Sequence, residues 1–423
     1  MYLAKRALAL MAAGLAVCLI LDLSVLVWCG IWVAIIALDT LSAPSAKLLE
    51  MERHVPARSR RTEPVDTTLT ITSNARHPIT VAVRDQWPPS AGAESPATKL
   101  ALQPRQPQQV HTVLEPTHRG TLAAGPVTVR TRGLLRLAGR QNSRAVPAST
   151  LVTAPFRTRR LLPGKIRQMV ALEGHQVSIS RGAGSEFDSL REYVVGDDIR
   201  DIDWRATARV PHPMVRTWHP EKDRQLLIFN DFGRQSAVRI EDSTRFEAQA
   251  ECAMLLSALA TRGGDRVEYC EFAQQVGGSA QGNTADALLH AIGRLSANTQ
   301  PNLLPTNYDC LIPAASKRLR HRSMIFLLTA ADGAMAQTGL LQAATLLAAK
   351  HQVAIVSVAP QQRETSILDA GDALVSCARA EARLETARAI RVLRERGVLS
   401  VSAPAQAAAA AAADIYLEFK RRS

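Results

Sequence analysis

The chain has 423 residues, with 51 Lys and Arg against 38 Asp and Glu, and its six Cys include no C-x-x-C spacing. This length allows two or three domains, and the ordinary Gly and Pro content excludes a collagen-like or wholly disordered chain. The Cys spacing disfavours a zinc ribbon, a thioredoxin-type redox motif and a disulfide scaffold, so we expect the soluble part in a reducing compartment.

Residues 7–38 are apolar except for Asp22 and small Gly or Ser residues. One helix over them would be about 48 Å long, whereas two halves split at Asp22 would each be about 22–24 Å long. Basic residues flank both ends, beginning with Lys5 and Arg6 on one side and Lys47 on the other, as cytoplasmic flanks do. This pattern predicts a transmembrane hairpin over residues 1–43, with the soluble domains cytoplasmic. A single tilted span and a cleaved signal peptide are the alternatives.

Most of the excess positive charge lies directly after this apolar segment. Residues 44–180 carry 20 Lys and Arg against eight Asp and Glu. An anionic membrane leaflet attracts such a block, and nucleic acid is the rival partner. The block contains two aromatic residues, Trp87 and Phe156, which are too few for a single-strand stacking platform. We therefore regard nucleic acid as an unlikely partner.

Residues 62–155 alternate between apolar and polar positions, as in 68–72 and 80–83, and Pro and Gly clusters separate the runs. Period-2 alternation with regular turn signals is typical of a small antiparallel sandwich. The sequence therefore predicts a β-sandwich-like domain with a basic surface over residues 44–160.

A charged segment follows at 161–224, where 17 of the last 44 residues are charged. Seven carboxylates between Glu186 and Asp203 could hold a divalent metal, as in a metal-dependent hydrolase. Arg residues are interleaved with these carboxylates, which favours bidentate Arg–carboxylate pairs. We expect a structural or docking ion-pair network, anchored by burial of Trp204.

Residues 225–423 alternate between apolar strand-like runs and amphipathic helical runs. Strand-like runs begin at 225, 266, 324, 353 and 398, with helices predicted near 284–296, 309–320, 337–350 and 380–396. This alternation predicts a doubly wound, mostly parallel α/β sheet. Such sheets carry their sites at the carboxyl ends of strands, where Asp231, Thr329 and Asp332 are expected.

The segment from Arg181 to Arg209 resembles the signature of the bacterial membrane-anchored family called domain of unknown function 58. The resemblance continues to Lys420. It implies a transmembrane hairpin, a β-sandwich and a von Willebrand factor A-like domain, together with a MoxR-type AAA+ ATPase as partner in assembling or maturing other proteins. The positions that carry the signature are Glu186, Arg191, Tyr193, Asp197, Arg200, Asp203, Trp204 and Arg209.

The chain departs from this resemblance at the expected metal site. Von Willebrand A domains that bind ligands through a metal use Asp-x-Ser-x-Ser, but residues 231–235 lack both hydroxyls. Asp231, Thr306 and Asp332 would form a degenerate site, in which the loss of two oxygen ligands predicts at most weak Mg²⁺ binding. Gly233 allows close backbone approach and Arg234 places a positive charge at the rim. We therefore expect a metal-free docking surface with no cofactor.

Two functions of different classes remain besides nucleic-acid binding. The first is a non-enzymatic inner-membrane scaffold that docks proteins through its A-like domain. The second is a metal-dependent hydrolase built on the carboxylates of residues 186–203. No P-loop, nucleophile elbow or H-E-x-x-H motif supports an enzyme of a known class, so the first is preferred.

Overall fold

A computed structural model describes residues 2–21, 24–179, 186–195, 197–219, 224–331, 339–360 and 370–422. The chain divides into two compact units, Met1–Pro155 and Phe156–Ser423. Both the apolar N-terminal segment and the β-rich segment belong to unit 1. The charged segment and the alternating α/β segment both belong to unit 2.

Unit 1 begins with two helices and continues in short strands. Its elements are α1 (Lys5–Ile20), α2 (Val25–Ser42), β1 (Tyr2–Leu3), β2 (Leu49–His54), β3 (Arg58–Arg60), β4 (Val65–Ser73), β5 (Ile79–Asp85), β6 (Thr98–Leu102), β7 (Pro107–Leu114), β8 (Gly120–Ala123), β9 (Val127–Arg132), β10 (Ala138–Arg144) and β11 (Ser149–Thr153).

The two N-terminal helices pack on each other, with the Trp28 ring filling the space beside Gly14. Among the described residues, one helical stretch, Val25–Leu48, is long and apolar enough to cross a membrane. At 16 residues, α1 spans about 24 Å, which is less than the hydrocarbon core of a typical bilayer. The structure thus supports membrane association through α2, and a span by α1 stays a prediction.

The strands of unit 1 form sheets with the orders β1-β10-β9-β5-β6, β2-β4-β7 and β3-β11-β8. Alternation puts one face of each strand inside: in β4 every second residue is buried, including Leu69 and Ile71. These residues pack against Val81 and Val129 of the facing sheet. Pairing is antiparallel except between β3 and β11, which are parallel.

The two aromatic residues of the basic block are engaged within the protein. The Arg53 guanidinium lies over the Trp87 ring, 5.2 Å from its centre. The indole N–H of Trp87 donates to Asp85, and Asp85 forms a buried ion pair with Arg53. Phe156 packs against the core of unit 2. Both rings are therefore partly covered by contacts within their own unit.

Unit 2 alternates helices and strands around one large sheet. Its elements are α3 (Leu162–Ile179), β12 (Glu186–Glu192), α4 (Trp204–Thr207), β13 (Met214–His219), β14 (Gln225–Asp231), β15 (Arg239–Ile240), β16 (Ser243–Thr244), α5 (Arg245–Arg262), β17 (Arg266–Phe272), β18 (Val276–Gln281), α6 (Ala285–Asn298), α7 (Leu311–Arg318), β19 (Met324–Leu328), α8 (Leu341–Ala348), β20 (Gln352–Ala359), α9 (Ala370–Glu395), β21 (Leu399–Pro404) and α10 (Ala405–Arg422).

The large sheet has the order β18-β17-β14-β19-β20-β21, and its strands are parallel except for β18 at the edge. Helices α5, α6 and α10 contribute to the core on one face, and α7, α8 and α9 to the core on the other. The predicted parallel sheet with helices on both faces is confirmed. The chain leaves β14 toward β17 on one side and later returns to β19 on the other, which places a topological switch point at the end of β14.

Three elements of unit 2 differ from the sequence expectations. Strand β18 was not expected, because Gly277 and Gly278 weaken a strand pattern. Helix α3 lies in the predicted charged segment and buries Leu162 and Met169. Helix α9 begins at residue 370, ten residues before its predicted start.

Candidate functional site

Asp231 is the last residue of the central strand β14, and its side chain is buried. Its Oδ1 accepts hydrogen bonds from the Gly233 amide (2.7 Å) and the Thr306 hydroxyl (2.8 Å). Its Oδ2 accepts a hydrogen bond from the Thr329 hydroxyl (2.6 Å). Behind Thr329, the Tyr308 hydroxyl lies 3.0 Å from the Thr329 oxygen. Protein donors therefore occupy both carboxylate oxygens.

Gly233 determines how closely the Thr306 loop approaches. A β-carbon on residue 233 would overlap the Thr306 hydroxyl and press on the Asp231 carboxylate. The space that a Ser side chain would need at this position is thus taken by Thr306. The backbone keeps the two loops together, because the Arg234 amide donates to the Leu304 carbonyl (3.0 Å). The result is a closed group of hydrogen bonds among Asp231, Gly233, Thr306 and Thr329, which we call the Asp231 cluster.

Burial raises the pKa of the Asp231 carboxyl above its ordinary value. Hydrogen bonds from Thr329, Gly233 and Thr306, and the charge of Arg245, act in the opposite direction. A carboxyl in this position binds a proton more readily than an exposed one.

The rim of this cluster is exposed and partly apolar. Arg234 is exposed on the short turn after Gly233. Leu303 and Leu304 are exposed in the neighbouring loop, which is tied to the Phe232 carbonyl through the Asn302 amide (2.6 Å). Asp332, the third member of the predicted metal site, lies outside the described residues. The structure thus brings Asp231, Thr306, Gly233 and Arg234 together at this edge of the sheet.

The signature residues form a separate hairpin, residues 186–219, which we call the signature hairpin. Strand β12 pairs antiparallel with β13, with a bulge between Phe187 and Ser189. Arg191 holds Asp197 through two hydrogen bonds (Nη1–Oδ2 2.7 Å, Nη2–Oδ1 2.5 Å). The hydrogen bond that Arg191 donates to Asp197 is the main reason that the pKa of Arg191 is raised. This is the bidentate Arg–carboxylate geometry expected from the interleaved charges.

Asp203 organises the turn at the far end of the hairpin. Its Oδ1 accepts hydrogen bonds from the amides of Arg205 and Ala206 (both 3.0 Å), so it caps the short helix α4. Its Oδ2 accepts from Arg216 Nε (2.9 Å). The Ala206 amide and the Arg216 side chain, in that order, hold the pKa of Asp203 below its ordinary value.

The remaining signature residues occupy different environments. Glu186 begins β12, and its side chain lies outside the described part of the chain. Tyr193 is half-buried directly after β12, and its amide donates to the Pro213 carbonyl (2.8 Å). Arg200 and Arg209 are exposed. The structure therefore places Arg191, Asp197 and Asp203 in ion pairs, whereas Arg200 and Arg209 face solvent.

The expectation that Trp204 anchors the hairpin by burial is wrong. Trp204 is 67% exposed, and it is the first residue of the short helix α4, which Asp203 caps. Three further apolar residues of the same stretch are exposed: Val194, Val195 (94%) and Ile199. The hairpin thus pairs Arg191 with Asp197 and Arg216 with Asp203, while these apolar side chains are exposed to water.

Two substitutions of Asp203 can separate its role as the cap of α4 from its ion pair with Arg216. Asp203→Asn keeps an oxygen that can cap α4 but loses the charge that holds Arg216, whereas Asp203→Ala loses both. We expect hydrogen exchange at the Arg205 and Ala206 amides to be faster in the Ala variant than in the Asn variant. Equal exchange in the two variants would show that the cap contributes nothing.

The lowered pKa of Asp203 determines how the stability of the α4 cap depends on pH. The stabilisation from the Asp203 carboxylate is fully present above the ordinary carboxyl pKa of about 4 and is lost as the pH falls through the lowered folded value. Protection of the Arg205 and Ala206 amides in the unmodified chain should therefore decrease in acid. Asp203→Asn should abolish this acid-dependent change.

The profile of the family described as "Protein of unknown function DUF58" matches residues 189–403, which is about half of the chain. The chain belongs to the DUF58 family. The match begins within β12 and ends within β21, so it covers most of the signature hairpin and all of the Asp231 cluster.

Other similarities are more limited. Uncharacterized proteins of Mycobacterium bovis and Mycobacterium tuberculosis are each 28% identical to the chain over 96 residues, which is 23% of this chain. The chain matches 30% of the length of these curated relatives. Part of alpha-2-macroglobulin from Escherichia coli (18% identity, 27% of this chain, 17% of that chain) aligns with a TM-score of 0.21. The CARDB domain of a Pyrococcus furiosus protein (13% identity, 27% of this chain, 99% of that chain) has the same TM-score.

Two groups of exposed apolar residues within residues 189–403 were not predicted from the sequence. Leu303 and Leu304 stand between Pro301 and Pro305, and prolines on both sides prevent a regular strand that would bury them. Val194 and Val195 precede Gly196 in a segment rich in charges. In both places, a pair of apolar residues next to Pro or Gly was the sequence feature that could have predicted exposed apolar side chains.

Proposed function

We propose that this DUF58 protein is a non-enzymatic, membrane-anchored scaffold that docks a protein partner through the signature hairpin. The observation that carries the proposal is the composition of the hairpin surface, where Val194, Val195, Ile199 and Trp204 are exposed within eleven residues. Exposed apolar groups of this kind are typical of interaction sites. A large aromatic side chain among them is the residue type that most often dominates binding energy.

The charges of the hairpin support docking more than catalysis. Arg191 and Asp197 hold each other, and Asp203 is occupied by Arg216 and two amides. Carboxylates engaged in this way stabilise a rigid presentation of the apolar residues. Among the described residues, no three His, Cys, Asp or Glu side chains come together as a candidate metal site. The metal-dependent hydrolase therefore gains no support.

The Asp231 cluster supplies a second surface for the same role. The resemblance to von Willebrand A-like domains suggests that this edge of the sheet meets the partner, and Arg234 would present a fixed positive charge there. The saturated Asp231 carboxylate and the space taken by Thr306 support a docking surface that works without a divalent ion. The partner that the family resemblance implies is a MoxR-type AAA+ ATPase, and the process is assembly or maturation of other proteins.

The membrane part of the proposal rests on α2 and the basic block that follows it. We infer that α1 and α2 anchor the chain in the bacterial inner membrane, with the parts of the chain that follow α2 on the cytoplasmic side. The start of α1 and the end of α2 lie together at β10, because β1 pairs with β10 and Arg140 of β10 donates to the Thr40 carbonyl of α2 (3.0 Å). Helices joined this way have both ends on one side of a membrane.

The metal-free part of the proposal is tested by binding measurements on the detergent-solubilised full chain. We expect the MoxR-type ATPase encoded in the same organism to bind with an affinity that a chelator leaves unchanged. Arg234→Ala should weaken this binding, and Arg239→Ala, an exposed Arg on the next short strand, serves as the matched control. Calorimetric detection of micromolar Mg²⁺ binding that disappears in Asp231→Ala would contradict the metal-free site.

A further inference from the structure

The loop between β9 and β10, residues 133–137, is fastened to the end of the apolar helix α2. The buried Asp39 carboxylate of α2 accepts the amides of Leu135 (2.7 Å), Leu137 (2.9 Å) and Ala138 (2.7 Å). A carboxylate that collects three backbone N–H groups forms strong, charge-assisted hydrogen bonds. These hydrogen bonds fix the position of the loop along the axis of α2.

Further contacts make the attachment rigid. The Leu134 amide donates to the Ser42 hydroxyl (3.1 Å), and Gly133 packs so tightly on Asp39 that a β-carbon there would overlap it. On the other side, the Ala4 amide before α1 donates to the Leu137 carbonyl (2.8 Å). The loop therefore lies level with both the start of α1 and the end of α2.

The tip of this loop is apolar although it faces away from the protein. Leu134 is 86% exposed and Leu135 is 61% exposed. Two exposed arginines, Arg132 and Arg136, flank them. Exposure of Leu side chains to water at a hairpin tip gives no hydrophobic stabilisation. The turn does not need them either, because backbone hydrogen bonds hold it, such as that from the Arg136 amide to the Gly133 carbonyl (3.1 Å).

We propose that Leu134 and Leu135 insert into the interfacial layer of the bilayer that α2 crosses, with Arg132 and Arg136 on anionic lipid headgroups. The inference rests on the proposed membrane anchoring. The structure favours a lipid surface as the partner of these side chains. The loop is bonded to the end of α2, and the lipid headgroups lie at that level if α2 crosses the bilayer. Apolar residues flanked by basic ones are the composition that binds such a layer.

The test uses the full chain in vesicles of phosphatidylglycerol and phosphatidylcholine, with a photoreactive benzoylphenylalanine at one position at a time. Position 134 probes the loop, and position 33, an exposed residue of α2, probes the anchor. Position 113 in β7 is the matched control, since Val113 is also an exposed apolar residue of unit 1. Lipid adducts are counted by mass spectrometry after illumination. We expect about tenfold more adduct at 134 than at 113.

The possible results distinguish insertion of the 133–137 loop from membrane anchoring by α1 and α2. Adducts at 33 without adducts at 134 above the level at 113 would overturn the inference and leave the anchor in place. The absence of adducts at 33 would overturn the anchor, and the inference with it. Adducts at 33 and 134 with few at 113 support both.

The arginines give a second measurement. Arg132→Gln with Arg136→Gln should reduce the excess of phosphatidylglycerol over phosphatidylcholine among the adducts at position 134 several-fold. Arg76→Gln, an exposed Arg in the β4–β5 loop, should leave this ratio unchanged. An unchanged ratio in the double variant would contradict the role assigned to the two arginines.

Discussion

Replacing Gly233 by Ala is expected to lower the free energy of unfolding of unit 2 by about 1–3 kcal/mol. The new β-carbon would displace the Thr306 hydroxyl, so a buried Asp231 oxygen would lose one of its two donors. Chemical denaturation of the detergent-solubilised full chain measures the effect. Gly277→Ala is the matched control, because a β-carbon there meets neighbours at ordinary contact distance.

A double-mutant cycle identifies the contact responsible. Thr306→Ala removes the hydroxyl that the new β-carbon would strike, so Gly233→Ala should cost clearly less in that background. Gly233→Ser should be destabilising for the same reason and should not create tight Mg²⁺ binding. A stable Gly233→Ser variant that binds Mg²⁺ would show that the Thr306 loop opens and that the site is not closed by its own side chains.

If the proposed MoxR-type ATPase partner docks on the signature hairpin, Trp204→Ala is expected to weaken its binding about tenfold to a hundredfold, which is the range of an interface residue that dominates affinity. The stability of the chain should stay within about 0.5 kcal/mol of its original value, because the side chain is exposed. Binding is measured with the full chain, with and without chelator. Leu374→Ala, an equally exposed apolar residue of α9, should leave the affinity unchanged.

The outcome against this prediction is equally definite. If Trp204→Ala binds as tightly as the unmodified chain, the signature hairpin is not the docking surface. Loss of binding together with faster hydrogen exchange across β12 and β13 would instead indicate that Trp204 supports the hairpin structure. The Asp203 variants then serve as the reference for structural damage in the same hairpin.

The sequence was most informative where local patterns also decide the structure. Fully apolar runs predicted the buried strands β14, β19 and β20, because a strand covered on both faces needs no polar side. Interleaved Arg and Asp residues predicted Arg–carboxylate pairs in general, and the structure shows that Arg191 and Asp197 form one of them. The position of Asp231 at the end of the first strand followed from the same local patterns.

The sequence was least informative where distant segments meet. Thr306 lies 75 residues from Asp231, and their hydrogen bond depends on the path of the chain between them. Asp39 reaches amides almost one hundred residues away, and nothing in its helical surroundings predicts that role. The Gly277-Gly278 edge strand exists because it pairs with β17, in spite of a sequence that weakens strands.

By itself, the sequence determined the α/β alternation, the apolar N-terminal helices, the family membership and the types of groups at the Asp231 edge. These properties depend on side-chain periodicity and on residue identity, which are local. Only the tertiary structure decided that Thr306 fills the space beside Gly233, that Trp204 faces solvent and that Leu134 stands at the end of α2. Burial and exposure depend on which distant elements cover a residue, so the same Trp or Leu can be core or surface according to the packing around it.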